Sequence, residues 1–435
     1  MNSGLIFSQL MFFLLLTAGI GLFAYRIRQL IAMIKLGRPI GHVSDKKQRW
    51  ANVFRIALGQ SKMVKRPVSG LLHVVVYLGF VIINIEVIEI IIDGLFGTHR
   101  VFSSIGPVYG VLIGIFEVFA LLVLVAVIVF WLRRNVVKIK RFWHPEMQGW
   151  PKQDADLILY FEMVLMSLFL VMNATDVVFQ QAANGNWVSA HLYPFFASQS
   201  PGVLHGIERT AWWLHIGGIL VFLNYLYFSK HLHILLAFPN VYFGSVRPKG
   251  QLPNLASVTK EVRLMMDPSA DPYAAPAEGA EPEKFGASDV TDLTQVQLLN
   301  AFTCTECGRC TSECPAHQTG KLLSPRKIMM DTRDRLVALG AQKQSKGPSI
   351  PDQKQLLDGY ISREELWACT TCNACVEACP VSIDPMSIIL SMRQYLVMEQ
   401  SAAPNELNNT MSNIENNGAP WPFNQQDRGN WINES

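Results

Sequence analysis

All eight cysteines of the chain fall into two copies of one pattern, C-x-x-C-x-x-C-x-x-x-C-P. The first copy contains Cys304, Cys307, Cys310 and Cys314, and the second contains Cys369, Cys372, Cys375 and Cys379. With this spacing, three neighbouring thiolates bind one [4Fe–4S] cluster and the fourth thiolate binds the other cluster. Thiolate is also the soft ligand that iron–sulfur clusters select. The pattern therefore predicts two clusters and an electron-transfer role.

The same rule predicts a crossed set of ligands. The ligands expected for cluster 1 are Cys304, Cys307, Cys310 and Cys379, and those expected for cluster 2 are Cys369, Cys372, Cys375 and Cys314. The alternatives are zinc and disulfides. Structural zinc usually takes pairs of cysteines that are well separated in the sequence. Disulfides need an oxidising compartment, whereas the charge distribution described below predicts a cytosolic location for this segment.

Five segments are apolar and long enough to cross a bilayer. Half of the 435 residues are hydrophobic and only 16% are charged, which is unusual for a soluble protein. A membrane helix needs about 20 apolar residues, and the segments lie near residues 5–25, 68–92, 107–132, 157–180 and 209–229. We do not interpret the first as a cleaved signal peptide, because no basic residue precedes it and Arg26 and Arg28 follow it.

The distribution of basic residues predicts the orientation. Lysine and arginine are concentrated in residues 26–66 and 133–152, whereas residues 173–207 contain none. By the positive-inside rule, the N-terminus lies outside and everything after the fifth span is cytosolic. We therefore expect a multi-pass protein of the bacterial cytoplasmic (inner) membrane. The net charge of only +3 argues against nucleic acid as a partner, and the basic loops suit anionic lipid.

These features predict an all-α chain in four parts. Residues 1–240 form a membrane domain, residues 241–284 a linker rich in Pro, Ala and acidic residues, and residues 285–400 a helical ferredoxin domain. Helical spacing is expected near residues 294–302, 324–339, 362–367 and 386–398, with Ser362 and Glu365 as a capping box. The Asn-rich tail, residues 401–435, is either disordered or an arm that becomes ordered on a partner.

Histidines in the spans suggest a haem. A polar ring in hydrocarbon is costly without a partner, and a six-coordinate haem b needs two imidazoles on facing helices. His73 and His233 both fall in the cytosolic half, whereas His215 lies about 27 Å from His233 along a helix axis. We therefore predict that His73 and His233 bind haem b. The alternative for each histidine is an interfacial ring bonded to headgroup or backbone, which we favour for His231.

The membrane part resembles the respiratory nitrate reductase gamma subunit. Residues 212–233 resemble its fifth helix, in which two haem-ligand histidines stand eighteen residues apart, matching His215 and His233. In the second helix of that family two more histidines stand ten residues apart; the first matches His73, but the other position is Ile83. The resemblance thus implies a five-helix cytochrome b-like bundle with one haem near the cytosolic side. A second haem on His215 would lack its partner.

The cytosolic part resembles the membrane-bound iron–sulfur proteins related to heterodisulfide reductase, including the electron-transfer-flavoprotein:menaquinone oxidoreductases. The matching stretches are residues 285–288, 298–310, 319–326 and 365–372. Members of this family commonly continue into cysteine-rich CCG domains. Because this chain has no ninth cysteine, we expect such a domain to come from another subunit.

The resemblance implies a subunit of a quinone-linked oxidoreductase complex. Electrons would pass between a cytosolic electron-transfer flavoprotein or CCG-domain partner, the two clusters, haem b and menaquinone or ubiquinone. One alternative is a wiring and anchor subunit of a heterodisulfide reductase-like or other dehydrogenase complex, with no quinone site of its own. Another is a membrane redox sensor that needs no haem.

Quinone chemistry also needs protons, and intramembrane carboxylates often mark proton paths. Glu86, Glu89, Glu117 and His215 all fall in the outer half of the membrane by residue counting. We predict that His215, together with Glu86 or Glu89, forms a quinone and proton site. The alternative is that these groups lie near the interface and meet water or each other. No catalytic nucleophile, phosphate-binding loop or dinucleotide fingerprint is recognisable.

Overall fold

A computed structural model describes residues 3–182, 184–248, 250–269, 284–344, 354–422 and 424–433. Within these ranges the chain is helical and has no β-strand; isolated bridges join Arg38 to Thr294 and Leu357 to Ile361. The all-α prediction is therefore confirmed.

Five long helices form the membrane bundle. They are α1 (Ser3–Ile34), α2 (Pro67–Phe96), α3 (Pro107–Asn135), α4 (Trp150–Thr175) and α5 (Pro201–Tyr225). All five are long and apolar enough to cross a membrane. Large apolar side chains point away from the protein, such as Phe7 and Leu71, which are 63% and 68% exposed. Lipid accounts for this exposure, which water would penalise.

Two helix ends differ from the apolar windows that predicted them. Helix α5 begins at Pro201 rather than near residue 209, because Ser200 caps it by accepting a hydrogen bond from the Val203 amide. Helix α4 ends at Thr175 rather than near residue 180. The carboxylate of the next residue, Asp176, accepts hydrogen bonds from Arg100 and from the Phe179 amide. Hydropathy marks the hydrocarbon-facing part of a helix, whereas such caps set its ends.

The chain leaves the bundle through a broken segment. Two 3₁₀ turns, Leu226–Phe228 and Lys230–Leu232, separate α5 from the short helix α6 (His233–Phe243). Shorter helical elements occupy the loops: Lys46–Asn52, the π-helical Val53–Leu58, Val101–Ile105, Lys140–Phe142, Pro145–Met147, Val177–Ala182, Ser189–Leu192 and Tyr193–Phe195.

The ferredoxin domain is a small helical cluster. Its elements are α7 (Ala256–Met266), α8 (Gln295–Thr303), α9 (Pro325–Gln344), α10 (Arg363–Trp367), α11 (Pro385–Met398) and α12 (Asn405–Asn417), with the shorter Val290–Asp292, Arg309–Ser312, Pro315–Gln318, Ala374–Ala378 and Gln425–Ile432. The four helices predicted here are all present, and Ser362 and Glu365 form the expected capping box.

Two segments that we assigned to a linker and a tail contain helices. Helix α7 lies inside the predicted linker, but its apolar side chains are exposed, as at Met265 and Met266, each 79% exposed. Helix α12 lies inside the tail and also exposes its apolar residues, including Ile414. Neither helix has a buried core residue among those described. Part of the predicted linker, residues 270–283, lies outside the described residues.

The ferredoxin domain sits on one end of the bundle. Arg309 donates to the backbone oxygens of Lys62 and Met63, and Arg326 donates to the Arg141 oxygen. The loops after α1 and α3 and the segment after α5 therefore lie on the same side as the domain. We call this side the ferredoxin end. The loops between α2 and α3 and between α4 and α5 form the opposite end.

Candidate functional site

The two cysteine loops repeat one backbone conformation. Glu306 and Thr371, each the residue before the second cysteine of its run, have φ angles of 54° and 55°. Gly308 and Asn373, each the residue after that cysteine, have φ angles of 71° and 62°. Left-handed backbone is uncommon outside glycine, so its recurrence at matched positions shows that both loops wrap in the same way.

The first group of thiols contains a member of each run. Burial, and next the neighbouring thiols of Cys304, Cys307 and Cys379, raise the pKa of Cys310 well above its ordinary value. Cys379 is in turn coupled to Cys307. The last cysteine of the second run thus lies beside the first three cysteines of the first run.

The second group of thiols likewise contains a member of each run. Burial, and next Asp384, Cys369 and Cys314, raise the pKa of Cys375. The last cysteine of the first run thus lies among the thiols of the second run. In this group Cys372 is exposed.

The alternative assignments fit these thiols less well. All eight cysteines are free thiols, so no disulfide links them. Among the described residues, no three His, Cys, Asp or Glu side chains converge closely enough to bind one metal ion. A tetrahedral zinc ion, with Zn–S bonds of about 2.3 Å, would require such convergence. The spacing of the two cysteine runs remains the observation that favours [4Fe–4S] clusters.

The predicted haem ligands face each other at the ferredoxin end. The ring centroids of His73 on α2 and His233 at the start of α6 are 6.4 Å apart. Two metal–nitrogen bonds of about 2 Å, plus about 1 Å from each nitrogen to its ring centre, would give about 6 Å. The Nδ1 atom of His233 lies 3.1 Å from the Lys230 oxygen; donating there leaves Nε2 free to bind a metal. Nδ1 of His73 is buried without a partner.

His231 packs inside the protein rather than at the interface that we expected. Its ring centroid lies 5.4 Å from that of Phe222 and 5.4 Å from that of His233. Burial, and next the nearby His233 and His73, lower the pKa of His231 to about 3. This ring is therefore neutral at physiological pH and supports the pair from the side.

Lys230 joins the histidine pair to the first cysteine loop. Its backbone oxygen faces His233, and its ammonium group forms an ion pair with Glu306, which stands between Cys304 and Cys307. Arg333 binds the other oxygen of Glu306 at 2.8 Å. These buried charges pair with one another, as buried ions must. The first cysteine loop thus connects to the histidine pair through Glu306 and Lys230. The second cysteine loop also contacts the membrane domain, through Glu377 and Val381, and its Cys372 is exposed.

Glu86 and Glu89 line a cavity of about 330 Å³ at the opposite end. Glu89 accepts hydrogen bonds from the Phe102 amide at 2.8 Å and from the Tyr109 hydroxyl at 3.0 Å. Oxygen Oε2 of Glu86 is buried without a hydrogen-bond partner. Arg100, which pairs with Asp176 at 2.8 Å, lines the same cavity.

Glu117 has a structural role. It is fully buried, and its carboxylate accepts hydrogen bonds from the amides of Val188 and Ser189 and from the Asn173 side chain, at 2.7–3.0 Å. These bonds anchor the loop between α4 and α5, and they leave Glu117 no role in a quinone site.

His215 does not line the cavity of Glu86 and Glu89. It lines a separate cavity of about 80 Å³ in the middle of the bundle, together with Ile83, Asn84 and Glu162. The prediction grouped His215 with Glu86 or Glu89, whereas in the structure His215 shares a cavity with Glu162, because counting residues along spans gives depth but not direction around the helix. The missed Glu162 had a signal, a carboxylate in the interior of the fourth apolar window. Lys230 and Glu306 had none, because they pair across 76 residues.

Residues 303–383, which contain every cysteine, match the 4Fe-4S dicluster domain. Over its full length the chain is 30% identical to the probable iron-sulfur-binding oxidoreductase FadF of Bacillus subtilis, and over 90% of its length it is 26% identical to the EtfAB:quinone oxidoreductase of Syntrophomonas wolfei. Over most or all of its length the chain is therefore similar to an iron–sulfur-binding oxidoreductase and to a quinone oxidoreductase.

The chain covers only part of the length of each of these relatives. The chain spans 62% of the length of the Bacillus protein and 55% of the Syntrophomonas protein. A third relative belongs to the dihydromethanophenazine:CoB–CoM heterodisulfide reductase of Methanosarcina mazei. It is 27% identical over 34% of this chain and 37% of its own length. No solved structure matches the chain. With the first two relatives, the chain therefore shares both its membrane half and its iron–sulfur half.

Proposed function

We propose that the chain is a membrane-anchored electron-transfer subunit that connects a soluble electron donor with the quinone pool. The donor is an electron-transfer flavoprotein or a CCG-domain iron–sulfur protein at the cytosolic face of a bacterial inner membrane. The observation that carries the proposal is the chain of contacts from the first cysteine loop to the histidine pair. Glu306, between Cys304 and Cys307, pairs with Lys230, whose backbone oxygen lies 3.1 Å from Nδ1 of His233.

Each ligand set has a proposed occupant. Cys369, Cys372, Cys375 and Cys314 bind cluster 2, which receives electrons from the donor. Cys304, Cys307, Cys310 and Cys379 bind cluster 1, beside the membrane. His73 and His233 bind haem b, which supplies a one-electron site at bilayer depth. The 6.4 Å separation of the two rings supports this last assignment.

The chain itself supplies spacing and electrostatics. Lys230 and Arg333 neutralise Glu306 between two ligands of cluster 1. Arg309, which stands between Cys307 and Cys310, fastens the same loop to the membrane domain. These contacts hold the first cysteine loop at a fixed distance from His233. We do not propose a second haem, since Ile83 across from His215 has no ligating atom.

The test is a quinol-reduced minus air-oxidised optical spectrum of the purified chain, with haem and iron quantified per polypeptide. We expect one haem b, about eight iron atoms in two clusters, and haem reduction by a menaquinol analogue. A chain that binds both clusters but no haem would overturn the route to quinone. It would leave a wiring and anchor subunit without a quinone site.

A further inference from the structure

The cavity around His215 lies between the two ends of the bundle. Its walls come from α2, α3, α4 and α5, and its volume is about 80 Å³. Most of the lining is apolar, as at Val76, Ile83 and Leu165, but three polar side chains face it: Asn84, Glu162 and His215. This is the composition of a small-molecule site, with an apolar wall and a few fixed polar groups.

Two of the three polar groups in this cavity lack protein partners, and the third bonds its own helix. His215 is only 2% exposed, and its Nδ1 atom has no hydrogen-bond partner. The side-chain amide of Asn84 donates to the Phe80 oxygen of its own helix. The carboxyl group of Glu162 has no hydrogen bond or ion pair with any described residue. An ionisable group at this depth is expensive, so an unpaired acid beside an unpaired imidazole indicates a ligand.

The cavity opens sideways, toward lipid. Phe80, on its rim, is 45% exposed, and Asn84 and Glu162 are partly exposed. These residues belong to α2 and α4, in the interior of two spans. A ligand that is dissolved in the bilayer can therefore reach His215 without crossing water.

The volume and the lining restrict the ligand. A lipid tail has no polar atom to pair with an imidazole, an amide and a carboxyl group. A haem would need a second ligating atom, which Ile83 does not provide. A quinone has a flat apolar ring, an apolar tail and two carbonyl oxygens that accept hydrogen bonds. The carbonyl edge fits the small polar pocket, while the tail remains in the open, apolar mouth.

The cavity also lies next to the histidine pair. Val76, on its wall, is one helical turn along α2 from His73. Phe222, on the opposite wall, packs against the ring of His231, which packs against His233. A ring bound here would lie beside the groups that we assign to haem b.

We propose that Glu162, His215 and Asn84 bind the carbonyl edge of a quinone from the lipid phase. This inference rests on the proposed function, because it locates the quinone of that scheme. In this proposal the partners of His215 in the quinone site are Glu162 and Asn84, not Glu86 and Glu89. The protonated carboxyl group of Glu162 and an imidazole N–H of His215 donate hydrogen bonds to one carbonyl, and the Asn84 amide lies at the rim.

The test is binding of the fluorescent quinone analogue 2-heptyl-4-hydroxyquinoline N-oxide to the full chain in lipid nanodiscs, followed by fluorescence quenching. We expect Glu162→Leu and His215→Leu each to raise the dissociation constant at least about tenfold, the loss expected for one strong hydrogen bond. The matched control is Ser167→Ala on the same helix, whose hydroxyl bonds its own backbone at Met163. It should bind like the wild type. Haem content reports whether each variant is folded.

Three outcomes would overturn the inference. They are no binding to the wild type, unchanged binding in both Glu162→Leu and His215→Leu, and weakened binding in Glu86→Leu but not in Glu162→Leu. The last result would place the quinone in the cavity at the opposite end. The proposed function is tested separately by donor-to-quinone electron transfer in the wild type. If transfer occurs in the wild type and persists in both cavity variants, the function stands and this site falls.

Discussion

At the ferredoxin end of the bundle, the buried Nδ1 atom of His73 has no protein partner, whereas at the opposite end the carboxylate of Glu117 accepts three hydrogen bonds. An unsatisfied buried polar group costs about 1–3 kcal/mol. The network around Glu117 avoids that cost with the protein's own donors, so it stabilises the fold, whereas Oε2 of Glu86 at the same end has no partner. The ferredoxin end holds the residues that we propose as cofactor ligands, including His73.

Arg100 shows how fully the opposite end is paired. Its guanidinium group binds Asp176 at 2.8 Å, the Asn173 side chain at 2.9 Å and the Tyr109 hydroxyl at 3.3 Å. The hydrogen bonds from His99 and Arg100 outweigh the effect of burial and hold the pKa of Asp176 well below its ordinary value. Substitutions should therefore remove cofactors at one end and stability at the other.

The largest effect should come from the crossed cysteines. Cys314→Ser should remove cluster 2 and lower the iron content from about eight to about four atoms per chain, because Cys314 lies among the thiols of the second run. The measurement is iron content with electron paramagnetic resonance of the reduced chain. Cys372→Ser and Cys304→Ser are the references for loss of cluster 2 and cluster 1. A Cys314→Ser spectrum that matches Cys304→Ser would refute the crossed pairing.

The next effect is loss of a single haem. His73→Ala should abolish haem binding while leaving both clusters, since a six-coordinate haem needs both axial imidazoles. His231→Phe is the matched control, because its ring packs beside His233 but is not proposed as a ligand. Haem per polypeptide and iron per polypeptide are measured together. Retention of haem in His73→Ala, or its loss in His231→Phe, would contradict the assignment.

At the opposite end, Arg100→Met should lower stability without removing a cofactor. Breaking a buried ion pair by removing one partner costs about 3–5 kcal/mol. The control is Ser104→Ala at the same end. Ser104 is exposed and its hydroxyl donates to the backbone oxygen of Val101, so its loss should change stability by less than about 0.5 kcal/mol. The apparent thermal midpoint of unfolding, with haem and iron contents, measures both. Similar midpoints for the two variants would show that the Arg100 network does not hold the fold.

The features that sequence alone predicted are those in which one residue type carries the signal at fixed spacing. The cysteine runs, the five apolar windows and the all-α fold are of this kind, and so is the capping box at Ser362. The prediction that His73 and His233 share a haem came from residue counting, which places both histidines in the cytosolic half of the membrane. The residues that share a cavity with His215 could not be predicted from the sequence, because residue counting cannot say which face of α2 meets α5.

Pairs that are distant in the sequence could not be predicted at all. Arg100 and Asp176 lie on loops 76 residues apart, and nothing in either loop marks the other as its partner. In the sequence Lys230 is an ordinary basic residue after an apolar span, and only the folded structure shows that it pairs with Glu306. Long-range ion pairs depend on how the helices pack. The membrane helices carry apolar residues on every face, so the sequence does not show which faces pack together.

The smallest expected effects are the stability changes caused by substituting Glu117 and Glu86, both at the opposite end of the bundle. Glu117→Gln should lower stability by about 1–3 kcal/mol, because an amide NH₂ group would face the donating amides of Val188 and Ser189 unless it rotates away. Glu86→Gln should change stability by less than about 0.5 kcal/mol, because Oε2 of Glu86 has no partner to lose. Thermal midpoints of the two variants measured side by side test this difference.

An equal loss of stability in both variants would contradict the distinction. It would mean that Glu86 is bonded within the fold, so that a missing partner no longer marks a group reserved for a ligand. A loss confined to Glu117→Gln would extend the contrast between the two ends of the bundle to single residues. At the opposite end, Glu117, which accepts hydrogen bonds from protein donors, would then stabilise the fold, and Glu86, which has an oxygen without a partner, would face the cavity.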